Sequence, residues 1–214
     1  MRSLSVASLV HTFSGDFVAA NALADELYAL TDEQRSPAWK PLGMMAQGYV
    51  LRLMGKASDA VQVITAGVTA HRSNGATITT PLAFSNLALA HAELGQWDDA
   101  WRCIGEAITV SETTGERWYE SEIHRISGEI AQLMPYPDGA KAEAYFDRAL
   151  TVARAQQAKS LELRAAISMA RLWRDQGKRD EARDLLAPIY GWFTEGFDTR
   201  DLKEAKALLE ELAT

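Results

Sequence analysis

Apolar residues recur along this chain three and four positions apart, and the runs break at evenly spaced glycines. That periodicity predicts helices that each bury one stripe. The segments GDFVAANALADEL, GKASDAVQVITAG, GQWDDAWRCIGEA and GKRDEARDLLAPI share one frame. Gly15, Gly55 and Gly95 stand 40 residues apart, and Gly177 follows 82 later, two further periods with two residues added. Alanine comes five positions on, at Ala20, Ala60, Ala100, Ala142 and Ala182, in steps of 40, 40, 42 and 40. Four residues beyond lie Ala24, Ile64, Ile104, Phe146 and Leu186, and three beyond those Leu27, Gly67, Ala107, Ala149 and Ile189.

These columns have a physical reading. A helix that must stop and reverse needs a left-handed residue at its end, and glycine takes that conformation without steric cost. An alanine one turn into the next helix lets two backbones approach closely. The unit predicted is therefore helix, tight turn and antiparallel helix, which buries both its faces only by stacking on neighbours. The first helices agree, since Gly48, Ala88, Gly128 and Ala170 form a small-residue column before the turns. Pro37, Pro41 and Pro81 mark helix starts, where a missing N–H costs nothing, and Gly75 and Gly115 end second helices.

The expectation is one domain over 1–214, with helix pairs at about 2–30, 38–73, 80–113, 117–156 and 160–194. MPYPDG at 134–139 is a lengthened turn that accounts for the two added residues. A last helix at 198–213 carries Leu202, Ala205, Leu208, Leu209 and Leu212 on one side and charge on the other, as a solenoid cap should. Met1 falls inside the first recognisable repeat, which reads as a piece of a longer protein.

Composition narrows the function classes. With 47% hydrophobic and 24% charged residues the chain is foldable. A net charge of −7 without a lysine or arginine run speaks against nucleic acid as the main ligand. The single cysteine, Cys103, can form no intrachain disulfide. No segment approaches the roughly 18 apolar residues of a membrane span, and the opening MRSLSVASLVHTFSG lacks a signal-peptide core. The expected location is cytoplasmic.

The order of small residue, turn glycine, alanine, bulky apolar residue and alanine resembles the tetratricopeptide repeat, although the period near 40 exceeds the usual value of about 34. That resemblance implies an all-α, right-handed superhelical solenoid of about five antiparallel helix pairs with a C-terminal capping helix. From about Gly115 onward, TGERWYESEIHRISGEIA and the stretch from AEAYFDRALTVARAQQ to DLKEAKALL are similar to a repeat region of bacterial signalling regulators. There it follows an adenylate/guanylate cyclase domain or a winged-helix domain and a predicted ATPase. The resemblance implies a regulatory or partner-binding role, and neither the cyclase nor the ATPase has a counterpart here.

Candidate chemistry is sparse. GMMAQGYV at 43–50 has the glycines of a phosphate loop but Tyr49 and Val50 where Lys and Ser/Thr belong. Glu120 and His124 could share a helix face as half a metal site, yet His11, His71 and His91 fall on other units. Cys103 and the tryptophans Trp97, Trp101, Trp118, Trp173 and Trp192 read as packing. No catalytic residue, metal site or cofactor is expected.

In tetratricopeptide folds the first helix of each pair lines a concave groove. The corresponding positions here are Leu42, Met45, Tyr49 and Arg52; Leu82, Ser85, Leu89 and Ala92; Glu122, Arg125, Glu129 and Gln132; and Arg164, Ile167, Arg171 and Arg174. The candidate partner-binding residues are Tyr49, Arg52, Glu122, Arg125, Glu129, Arg164, Arg171 and Arg174. Arginines on a rigid helix suit carboxylates through bidentate hydrogen bonds, so a protein or peptide with an acidic segment is one reading. The other is internal pairing, of Arg125 with Glu122 or Glu129, and of Arg171 or Arg174 with Asp175 or the preceding unit. The expected function is a non-enzymatic interaction or regulatory module; the alternative is a solenoid that senses a small ligand and changes shape or assembly. Self-association through exposed terminal repeats is a further expectation.

Overall fold

The computed structural model describes residues 1–33 and 39–213; Pro37 lies outside them. Among the described residues the regular structure is helical throughout: α1 (Arg2–Ser14), α2 (Phe17–Glu33), α3 (Lys40–Leu53), α4 (Ala57–Ser73), α5 (Thr80–Glu93), α6 (Trp97–Thr114), α7 (Glu120–Leu133), α8 (Gly139–Ala155), α9 (Lys159–Asp175), α10 (Arg179–Tyr190) and α11 (Arg200–Leu212). They form five antiparallel pairs and a final helix. The helices pack into two compact units, Met1–Glu116 with α1 to α6 and Arg117–Thr214 with α7 to α11. Each unit is a stack of helical hairpins, the build of an α-solenoid.

The repeated columns are the core of each hairpin. Ala20, Ala60, Ala100, Ala142 and Ala182 are all fully buried, as are Ile64, Phe146 and Leu186 in the next column. Small residues opposite them allow the close approach. A Cβ placed on Gly48 would lie 2.3 Å from Ile64 Cγ1, and one on Gly128 would lie 2.4 Å from Phe146 Cε1. These glycines are spacers between helices, and their own φ angles are ordinary.

The turn glycines act differently. Gly15, Gly55, Gly95 and Gly177 all have φ between 72° and 86°. Just after the last three, the N–H groups of Lys56, Gln96 and Lys178 reach back to the carbonyls of Leu51, His91 and Trp173 at 2.8–2.9 Å. Those bonds satisfy carbonyls that the helix end would leave open. Between α7 and α8 the connection is longer, 134–138, against 54–56 and 94–96 in the two preceding hairpins. Asp138 closes it by accepting a hydrogen bond from the Lys141 N–H at 2.9 Å, an N-cap that stands in for the glycine turn.

Ion pairs join successive hairpins within unit 1. Arg52 of α3 meets Glu93 of α5 at 2.9 Å, and Arg72 of α4 meets Glu106 of α6 at 2.7 Å. The Arg72 guanidinium also lies 4.7 Å from the centre of the Phe84 ring, a cation–π contact between α4 and α5.

Candidate interaction surface

In unit 1 the predicted groove residues are largely enclosed. Tyr49 is 5% exposed, at the wall of a water-sized cavity of about 30 Å³ shared with Ser8, Leu42, Met45 and Leu82. Leu82, Ser85, Leu89 and Ala92 are buried. Arg52 spends a guanidinium nitrogen on Glu93.

Unit 2 places each of the remaining candidates in an ion pair. Glu122 is fully buried on α7, and Arg125, one turn on, grips it with two hydrogen bonds of 2.8 and 3.0 Å. Arg125 also binds Glu129, itself reached by the Ser168 hydroxyl at 3.3 Å. Arg164 crosses from α9 to the second oxygen of Glu122 at 3.1 Å. Burial alone would raise the Glu122 carboxyl, but the Arg125 and Arg164 guanidiniums outweigh it and hold the group below its ordinary value. Burial works against the Arg125 charge as well, and Glu122 with Glu129 more than restores it.

Arg164, Arg171 and Arg174 follow one edge of α9, and each meets a carboxylate of α11. Arg164 lies 3.6 Å from Asp201, Arg171 3.3 Å from Glu204 and Arg174 2.9 Å from Glu211. Arg174 holds Asp175 too, at 2.9 Å. The hydrogen bond to Asp175 and the nearby Glu211 raise the Arg174 pKa. Burial pushes the Asp201 carboxyl above its ordinary range, against the opposing pull of Arg164. The eight candidates therefore occur as two residues in unit 1 and six in unit 2, each of the latter engaged in an internal ion pair.

No family model matches the chain, and no curated protein matches it. Solved structures do share its fold, two of them from Podosopora anserina. One is a point variant of a putative kinesin light chain of Podosopora anserina with nearly identical TPR-like repeats, with 15% identity and a TM-score of 0.59 over 89% of this chain and 92% of that one. The other is a second structure of the Podosopora anserina putative kinesin light chain repeats, with 15% identity and a TM-score of 0.56 over 98% and 95%. The fold is a tetratricopeptide-like repeat array. No described helix is long and apolar enough to cross a membrane.

Within this repeat array the remaining chemistry is muted. Among the described residues no three potential metal ligands are gathered together. His124 is depressed by burial first and by Arg148 second, which keeps it neutral. Cys103 is buried on α6, and burial pushes its thiol up to about 11. Because the thiolate is the nucleophile, alkylation of the folded protein at neutral pH is expected to run about 100-fold or more slower than in denaturant. A rate in the folded protein equal to the denatured rate would show α6 opening freely.

The sequence reading missed the acidic edge of α11. Its signal was a spacing: Arg164 and Arg174 lie ten residues apart, and so do Asp201 and Glu211.

Proposed function

We propose that this chain is a non-enzymatic interaction module that binds a protein or peptide with an acidic segment, as a regulatory part of a larger cytoplasmic signalling protein. The observation that carries the reading is the arginine edge of α9. Its guanidiniums are partly open to solvent, with the Arg171 side chain 44% exposed, and they already hold the carboxylates of a helix. The similarity of the chain beyond Gly115 to the repeat regions of bacterial regulators supports the signalling context.

The test is affinity capture followed by identification of retained proteins, comparing wild type with Arg171→Glu/Glu204→Arg. That exchange reverses the charge on α9 while keeping the pair with α11. A protein retained by wild type and lost by the exchanged variant supports the reading. Equal retention clears the α9 edge, and retention of nothing by either overturns the interaction role.

A further inference from the structure

α11 is held on unit 2 in two ways. Its buried stripe, Leu202, Ala205, Leu208 and Leu212, packs against α9 and α10. Beside the stripe runs the carboxylate row that meets Arg164, Arg171 and Arg174. Arg179 of α10 adds a hydrogen bond to the Glu211 carbonyl. Ten residues of helix rise about 15 Å, so two parallel helices bring Arg164–Asp201 and Arg174–Glu211 into register together. Covering the apolar end of a hairpin needs only the leucine stripe. The matched charges add a second requirement, which selects an acidic helix over any other amphipathic one.

We infer that this face of α9 and α10 is a docking seat for an acidic amphipathic helix of a partner protein, with α11 as its resident occupant. The inference rests on the interaction reading above and specifies its partner. A fitting helix carries leucines spaced as Leu202, Leu208 and Leu212, with carboxylates one before the first, two after it and one before the last.

The attachment of α11 suits exchange. It follows a connection at 191–199 that contains Gly191 and Gly196 and leaves Trp192 and Phe197 exposed. α11 is packed on one face only, and an element so held opens at lower free energy than one packed on both. The Arg171–Glu204 and Arg174–Glu211 pairs lie at the rim, where salt screens them.

The experiment uses the full chain and a fluorescent peptide of residues 198–213, read by anisotropy. In the variant Leu202→Asp/Leu208→Asp the resident helix loses its apolar hold, while every residue of the seat is unchanged. Amide exchange across α11 confirms its release. The peptide is expected to bind the released variant at least about tenfold more tightly than wild type. Its form with Asp201, Glu204 and Glu211 changed to lysine is expected to bind at least about tenfold more weakly.

Equal binding to wild type and released variant, binding to neither, or indifference to the three carboxylates overturns the inference. So does continued protection of α11 in the variant. If the leucine changes unfold unit 2, Asp201→Lys/Glu204→Lys/Glu211→Lys loosens the same helix from its rim, and the same outcomes apply. Failure of the peptide with a partner still captured removes the seat and leaves the interaction reading standing. Peptide binding with nothing captured leaves α11 as the seat's own occupant and overturns the partner.

Discussion

Replacing Glu122 by alanine is expected to lower folding stability by about 3–5 kcal/mol, seen as a fall in the urea midpoint. The carboxylate is fully buried, and its two oxygens satisfy Arg125 through two hydrogen bonds and Arg164 through one ion pair. Without it the Arg125 charge stays in the interior, with Glu129 as its remaining ion-pair partner among the described residues. Removing one member of a buried pair leaves the other uncompensated, which costs more than the pair itself contributes. The variant Glu122→Leu/Arg125→Met is therefore expected to recover most of the loss. A double variant no more stable than Glu122→Ala would mean that the network contributes through attraction rather than through mutual satisfaction.

The same carboxylate sets an acid limit. Its pKa is lowered in the folded chain from an ordinary value of 4.5, so its contribution is complete above that pH. The contribution falls away as pH drops through the depressed value. Wild type is expected to lose stability more steeply than Glu122→Gln on acidification below about pH 4.5. Parallel pH profiles would exclude Glu122 as the group responsible.

The second large effect belongs to Gly128. A side chain there meets the Phe146 ring at 2.4, 2.7 and 2.9 Å, and that ring is fully buried. Gly128→Val is expected to destabilise by about 3 kcal/mol, the upper part of the range for an overpacked core. Trimming the obstacle should relieve it. In Gly128→Ala/Phe146→Leu the combined loss is expected to be smaller than the sum of the single losses, by about 1 kcal/mol or more in a double-mutant cycle. Strict additivity would show that the helices separate instead of clashing.

That pair also explains why the fold was legible in the sequence. Glycine stands in the small-residue column opposite Ile64 and Phe146, and alanine, at Ala88 and Ala170, accompanies Ile104 and Leu186 in the same two columns. Such contacts lie within one hairpin. Helix geometry converts their spacing directly into a shared face, so the period, the turns and the buried stripe could be read from one chain.

The charged residues divide along the same line. Arg125 with Glu122 and Glu129 was readable, because three and four positions apart on one helix are neighbours. Arg174 does meet Asp175, but Arg171 and Arg174 also reach forward to α11, where the sequence reading looked back to the preceding unit. Long side chains accept any carboxylate within reach, and the offset between two helices is set by packing that periodicity does not encode. Tyr49 shows the same limit, since its helical position was correct and its enclosure depends on Ser8 and Leu82 from other helices.

The pairs Arg52–Glu93 and Arg72–Glu106 bridge successive hairpins of unit 1, one along each row of helices, whereas the alanine columns lie inside the hairpins. Dissolved salt weakens the first kind of contact and leaves the second almost untouched. Ionic strength is therefore expected to slacken the half-exposed Arg72–Glu106 joint of that unit while its links stay intact, at a helix content that does not change.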